Sequence, residues 1–277
     1  MIIKTAVADN SVRAVLLNGS RVSSKVKKDR YQDFDVVFMV HDINSFIDDP
    51  RWIDIFGEIL IMQTPDVMLL GKKDLNKRIS FTYLMLFKDG NRIDLTLFPA
   101  DKIKTDYQVD SLTGVLLDKD GLFTDMPPAN DRGYLIKKPS AKEFSDHCNE
   151  FWWVSTYVSK GLARKEITYA KAMMDGPVRR MFMKMLEWYI GIKTNFLVSF
   201  GKDGRFIKDH VSGELYRQIL KTYSDAEIGN MWNSLLLMTD LFKKFSGKVK
   251  TEFDFQNESE GDEVIAYLKK IRKESEK

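Results

Sequence analysis

Apolar residues recur at two different periods along this chain, and the change from one to the other falls near its middle. In the first half, short apolar or alternating runs end in turn residues: VRAVLLNGS, DFDVVFMV, SFTYLMLF and RIDLTLFP. Runs of this length and pattern read as strands. The first strand is expected at 13–17, after a frayed helical turn in the opening dozen residues. SFTYLMLF and RIDLTLFP are joined by Lys88-Asp89-Gly90-Asn91, and Asp-Gly between two alternating runs is the strongest short-range hairpin signal. INSFIDDPRWIDIFGEILIM predicts a helix opening near Asp48 to Trp52, with Pro50 in its first turn and Ile53, Phe56 and Leu60 on one face. TPDVMLLG then reads as a short buried strand, and LLDKDGLF, 116–123, as one more short hairpin.

The stretch 126–140, MPPANDRGYLIKKPS, holds three of the seven prolines and no periodic apolar pattern. It reads as a surface linker, which sets two domains at 1–135 and 136–277. From Ser140 the period becomes helical. Ser140 and Glu143 form a capping box for a helix running to about Lys160. On a helical wheel Phe144, Cys148, Phe151 and Trp152 share one face, whereas Glu143, Asp146, Glu150 and Tyr157 fall on another. A helical stretch from Arg164 is interrupted at Asp175-Gly176-Pro177, with Pro177 suited to the first position of a new helix. Ser224 with Glu227 caps a further helix, and a charged helical tail follows. Trp152, Trp153, Trp188 and Trp232 sit at helical spacing and are expected mostly in the core.

At 277 residues, 44% hydrophobic and 30% charged, the composition is that of a globular chain with room for two cores. No apolar run approaches the ~20 residues that span a bilayer, and MIIKTAVADN has no signal-peptide core, so a cytoplasmic location is expected. The single cysteine, Cys148, excludes an internal disulfide. With only His41, His147 and His210 beside it, the usual zinc ligand set is excluded too, and a catalytic metal would have to be held by carboxylates. A net charge of +3 is too small to argue for nucleic acid. The basic run KVKKDR at 25–30 is either a solvated loop or positive charge within reach of a triphosphate.

Chemistry concentrates around Asn18-Gly19-Ser20-Arg21, Asp33-Phe34-Asp35 and Asp94. On a strand, Asp33 and Asp35 point to one face about 7 Å apart, repel each other and call for a cation. Hard ions such as Mg²⁺ take one or two carboxylates plus substrate phosphates. Gly19 lets the backbone approach a phosphate closely, and Ser20 can donate to its oxygens. In RIDLTLFP, alternation puts Arg92, Asp94 and Thr96 on the face opposite Ile93, Leu95 and Leu97, so Asp94 is lifted off the core and needs water or a metal beside it.

Gly-Ser, a spacer, Asp-x-Asp on a strand and a lone Asp on a later strand resemble the nucleotidyltransferase superfamily that includes DNA polymerase β. LNGSR, QDFDVVFMV, RIDLTLFP, FWWVSTYVSKGLARKEITYAK and MLEWYIG are similar to the bacterial aminoglycoside 6-adenylyltransferases, which act on streptomycin. The resemblance covers nearly the whole chain. It implies an α+β fold, with an N-terminal mixed-sheet nucleotidyltransferase domain and a C-terminal helical bundle that binds the acceptor. It also implies an enzyme that transfers AMP from ATP to a hydroxyl of an aminoglycoside, the 6-hydroxyl of streptomycin, with release of pyrophosphate and resistance as the result. Mg²⁺ is the implied cofactor and ATP the co-substrate. By the same likeness Asp33 and Asp35 hold metal, Asp94 is either general base or shared ligand, and Gly19, Ser20 and Arg21 contact phosphate. Arg164, Lys165 and Lys171 either reach the triphosphate or face solvent. Because the acceptor is a polycation, the acidic stripe Glu143, Asp146 and Glu150, with Tyr157 alongside, is its expected pocket. The expected partners are these small molecules alone, with no nucleic acid and no membrane, and the chain is expected to be a monomer. Two other readings compete: transfer to a lincosamide, and a nucleotide-binding or antitoxin-type module without turnover.

Overall fold

The computed structural model describes residues 1–69, 79–256 and 260–277. The chain divides into two compact units, Met1–Gly133 and Tyr134–Lys277, and the division falls inside the proline-rich stretch. In the first unit, helix α1 (Ile2–Ala8) precedes strand β1 (Val12–Asn18), followed by β2 (Phe34–Val40) and the short helix α2 (Asn44–Ile47). Next come β3 (Ile59–Gln63), β4 (Phe81–Phe87), β5 (Arg92–Pro99), α3 (Ile103–Asp106) and β6 (Thr113–Asp118). The described strands form one sheet in the order β3-β4-β5-β2-β1-β6. β2 and β5 run parallel while the other neighbours are antiparallel, so the sheet is mixed.

Alternation along the strands gives this sheet two unlike faces. Val36, Phe38, Ile93, Leu95 and Leu97 join Ala6 of α1, Phe46 of α2 and Ile53 in one buried cluster. The opposite face carries a smaller cluster, Ala14, Leu16, Val37, Met39 and Phe98, with Ile103, Tyr107, Leu122 and Phe123 against it. That second cluster stops short of the strand ends where Asn18, Asp35 and Asp94 stand. The β4–β5 hairpin forms as the Asp-Gly turn predicts, with Gly90 at φ +85°.

Three expectations in this unit need correction. The helix predicted over 48–60 is instead a 3-10 turn, Pro50–Phe56, started by the Asp49 carboxylate accepting from Arg51 N–H. Gly57, at φ +139°, ends it by turning the chain out of any helical path. Leu60 therefore lies on β3, where it is 61% exposed rather than facing a core. TPDVMLLG is not a buried strand over its described part: Pro65–Val67 is a 3-10 turn and Leu69 is exposed, while Leu70 and Gly71 lie outside the described residues. Nor does 116–123 form a hairpin, because the Asp118 carboxylate accepts from the N–H groups of Leu122 and Phe123, each at 2.9 Å, and folds the chain into a loop after β6.

The second unit is helical: α4 (Ala141–Ala163), α5 (Ile167–Met173), α6 (Arg179–Lys193), α7 (Ile207–His210), α8 (Gly213–Lys221), α9 (Ile228–Phe253) and α10 (Glu260–Ser275). The Ser140–Glu143 capping box is present at the start of α4, and Phe144, Cys148, Phe151 and Trp152 are buried as the wheel predicts. Phe151 stacks on Phe242 of α9 with ring centroids 3.7 Å apart, and Trp188 and Trp232 are buried in the core of the same unit. Trp153 departs from the expected core placement and is 60% exposed. The expected break at Asp175-Gly176-Pro177 is also absent. A π turn, Met174–Val178, carries the helix through, since a wider turn accommodates a residue with no N–H to donate. Finally, Ser224 does not cap α9. Its hydroxyl is buried without a hydrogen-bond partner, and Asp225 instead accepts from Glu227 N–H and the Asn230 amide.

Candidate active site

Strand register brings the polar residues of the second sheet face into a row. Asn18, the last residue of β1, pairs with Asp35 on β2, and Asp35 pairs in turn with Asp94 on β5. On the other side Asn18 pairs with Thr113 of β6, whose hydroxyl donates to Asn18 Oδ1 at 2.8 Å. Neighbouring strands lie about 4.8 Å apart, so residues in register on one face are side-chain neighbours. Asp33 stands two residues before Asp35, just outside β2. The parallel pairing matters here: β2 and β5 both start at this end of the sheet, and each start carries a carboxylate.

The loop after β1 closes over Asp35. Gly19 adopts φ +74°, and a Cβ placed there would lie 2.7 Å from Asp35 Oδ2. Glycine is thus required both by the backbone conformation and by the close approach. Its N–H donates to Leu112 carbonyl at 2.9 Å, and the Ser20 carbonyl accepts from the Gln32 side chain at 3.2 Å. Arg21 turns back on the same loop: Nε donates to the Asp33 carbonyl at 2.9 Å and Nη2 to the Gln32 carbonyl at 2.5 Å. Its guanidinium lies 3.4 Å from the Phe34 ring centroid. Arg21 therefore anchors the approach to β2, a role its position beside Gly-Ser did not suggest. In the basic run, Lys25 pairs with Asp131 at 2.6 Å, while Lys27 and Lys28 are exposed.

Burial and neighbouring charge both act on Asp35. Burial pushes the Asp35 carboxyl above its ordinary range, and the charges of Asp94 and Asp33 add to this, while Arg92 and Arg21 pull the other way. The main compensating cation is Arg92, which grips Asp94 with Nε and Nη2, both at 2.7 Å, and lies 3.7 Å from Asp33. Among the described residues no group of three or more His, Cys, Asp or Glu side chains is gathered closely enough to form a protein-only metal cage. The donors present are nonetheless those a hard divalent ion takes when substrate phosphates complete its shell: carboxylates side by side, with negative charge in excess. Mg²⁺ fits this set better than zinc or another thiophilic metal. A cavity of about 420 Å³ lies along the segment after α3, lined by Asp110, Thr113, Phe123, Asp125 and Met126 among others, and shares Thr113 with the row.

In the helical unit the expected residues are spread along one helix. Glu143 is engaged in the capping box, where its carboxylate accepts from Ser140 N–H at 2.8 Å and Ser140 O–H at 2.7 Å. Asp146 pairs with Lys142 one turn back. Glu150 is exposed, and Tyr157 accepts from Trp153 Nε1 at 2.6 Å. Lys171 donates to the Ser224 carbonyl at 2.5 Å and pairs with Asp175 at 3.1 Å, while Arg164 and Lys165 close the end of α4. Arg92 and Asn18 lie in the stretches where chemistry is expected but have no role assigned to them there, and Trp153, expected in the core, is exposed. The i, i+2 spacing puts Arg92 on the face of Asp94, whereas the pairing of Asn18 with Asp35 is set by register.

Residues 1–271 match the family model described as streptomycin adenylyltransferase. The chain is similar to an aminoglycoside 6-adenylyltransferase of Campylobacter jejuni, 39% identical over 273 residues, which cover 99% of this chain and 94% of that one. It is similar also to the aminoglycoside 6-adenylyltransferase of Bacillus subtilis (strain 168), 38% identical over 268 residues, 96% of this chain and 93% of the relative. A crystal structure of an aminoglycoside 6-adenyltransferase from Bacillus subtilis is 34% identical, with 98% of this chain and 95% of that chain covered and a TM-score of 0.48. Because the family model spans residues 1–271 and the curated relatives match over nearly the whole chain, the chain belongs to the streptomycin adenylyltransferase family.

Proposed function

We propose that this enzyme transfers AMP from ATP to a hydroxyl of an aminoglycoside, by likeness the 6-hydroxyl of streptomycin, releasing pyrophosphate and so conferring resistance. The observation that carries the reading is the register that sets Asp35 beside Asp94 under the Gly19-Ser20 loop. In the reaction the acceptor oxygen attacks the α-phosphorus, a new P–O bond forms, and the bond to the β-phosphate breaks. The acceptor proton passes to Asp94 or to solvent. Gly19 keeps side-chain bulk away from the phosphate, and Ser20 donates to its oxygens. Arg21 holds Asp33 at the mouth of the row through the carbonyl it grips. Asp33, Asp35 and Asp94 would hold Mg²⁺, which would supply charge neutralisation at the transferring phosphate, the largest contribution in chemistry of this kind.

The first unit is the nucleotide-binding half in this reading and the helical unit the acceptor-binding half. A polycationic acceptor suits the acidic stripe of α4. Glu150, Trp153 and Tyr157 stand at i, i+3 and i+7, so an exposed indole and a carboxylate share one helix face and can take a cation together. Glu143 and Asp146 have the local partners described above, which leaves exposed Glu150 and Trp153, with half-buried Tyr157, as the contact part of the stripe. No described helix is long and apolar enough to cross a membrane. The reading is of a cytoplasmic monomer working on small molecules.

Pyrophosphate release, followed with ATP and Mg²⁺ across a panel of aminoglycosides and lincosamides, tests the proposal. Release with streptomycin and with no lincosamide is expected. Release with a lincosamide alone would replace the acceptor, and the absence of release with every antibiotic would favour a module without turnover.

A further inference from the structure

Arg92 opens β5 two residues before Asp94, and alternation places both on the face of the carboxylate row. The contact is a fork: Nε donates to Asp94 Oδ1 and Nη2 to Oδ2, each at 2.7 Å. The remaining nitrogen, Nη1, lies 3.7 Å from Asp33 Oδ2. One guanidinium thus bridges two of the three carboxylates, although at 41% side-chain exposure it is not confined there by packing. Charge and bidentate geometry hold it in place. Both Asp94 oxygens are engaged, so this carboxylate is fixed in rotation, with its outer lone pairs left for another partner. Accepting the acceptor's proton would mean giving up or sharing a charge-assisted bond, whereas ligation through an outer lone pair keeps the fork intact.

We infer that Arg92 is a positioning residue with two linked tasks: it orients Asp94 as a fixed ligand, and it is the resident counter-cation of the row when no divalent ion is bound. The inference rests on the adenylyl-transfer reading of the same site. Two substitutions separate the tasks. Arg92→Lys keeps the charge and loses the fork, whereas Arg92→Gln loses both.

The measurements are thermal unfolding of the full chain with and without Mg²⁺, in the absence of ATP, together with kcat and KM for streptomycin. Removal of the counter-cation leaves repelling carboxylates, so Arg92→Gln should unfold at lower temperature in metal-free buffer. It should also show a rise on adding Mg²⁺ at least about twofold larger than the wild type's. Arg92→Lys should retain a wild-type response to Mg²⁺. Both variants should lose about tenfold or more in kcat while KM for streptomycin stays within about twofold, because a metal ligand beside the transferring phosphate is misoriented and the acceptor site is untouched. An unchanged Mg²⁺ response in Arg92→Gln would overturn the counter-cation task, and wild-type kcat in Arg92→Lys would overturn the orienting task. Should Arg92→Gln fail to fold without metal but fold with Mg²⁺, the first task is upheld. Failure to fold in either condition hands the decision to Arg92→Lys. If the wild-type chain modifies no aminoglycoside, the adenylyl-transfer reading falls, while the Mg²⁺ response still decides the counter-cation task.

Discussion

Two sets of carboxylates, one on the sheet and one on α4, look alike as spacing in a sequence and differ in almost every physical respect. Asp33, Asp35 and Asp94 come from chain segments some sixty residues apart and meet only because β2 and β5 pair in parallel. Glu143, Asp146 and Glu150 are neighbours along one helix, and two of the three are satisfied by residues within four positions. Protonation registers the contrast. Asp35 is pushed upward by burial and by the neighbouring carboxylates, whereas Glu143 is held below its ordinary range, chiefly by the Ser140 N–H and then by its O–H. Like charge gathered against its own repulsion marks a site built for a ligand, while charge placed where a helix start favours it marks a helix built to fold.

The largest difference should appear in turnover. Asp33→Asn or Asp35→Asn is expected to lower kcat by at least about 10², the scale of losing a principal electrostatic contact, whereas Asp146→Asn should stay within about twofold of wild type. Steady-state kinetics on the three variants would break the comparison if the α4 substitution were the more damaging. Gly19→Ala tests the same row through its backbone. The left-handed conformation costs a non-glycine residue about 1–3 kcal/mol, and the added methyl displaces Asp35, so stability and kcat should fall together. A variant with wild-type melting and wild-type rate would remove the close approach from the account.

Opposite pKa directions give opposite pH signatures in metal-free protein. Asp35 binds its proton more tightly folded than unfolded, so the stability gained from its protonation is full below the ordinary carboxylate range. That gain is lost as pH rises through the raised value. Asp35→Asn should therefore melt above wild type near neutral pH without Mg²⁺, with the gap closing in acid. Glu143 contributes above the ordinary range, and the contribution is lost as pH falls through its lowered value, so Glu143→Gln should melt below wild type near neutral pH and converge on it in acid. Unfolding curves across pH for both variants check the two signs. The smallest effect expected is that of Ser140→Ala, which removes the helix cap at a cost of about 1 kcal/mol and leaves kcat unchanged.

Much of this was legible from the sequence where the signal is local. The Asp-Gly hairpin, the capping box and the apolar face of α4 each depend on residues within a few positions of one another, and each stands where the pattern put it. Errors fell where distant context decides. Ile59–Gln63 falls at the end of the expected helix, and its pairing with β4 makes it a strand. Pro177 breaks an ordinary helix, but a π turn absorbs it. Within the candidate site, the three aspartates and Gly-Ser were visible as a spaced motif. The grip of Arg21 on the Asp33 carbonyl and that of Arg92 on Asp94 were not, because a motif states which residues are present and not which of them touch.

Mass spectrometry of streptomycin recovered after incubation with ATP, Mg²⁺ and either wild-type chain or Asp35→Asn tests whether the row on the sheet adenylylates an aminoglycoside. The expected result is streptomycin carrying one adenylyl group in the wild-type reaction and unmodified streptomycin with the variant over the same time. Unmodified streptomycin from the wild type would remove the activity, and an adduct formed as fast by Asp35→Asn would place the chemistry away from the row.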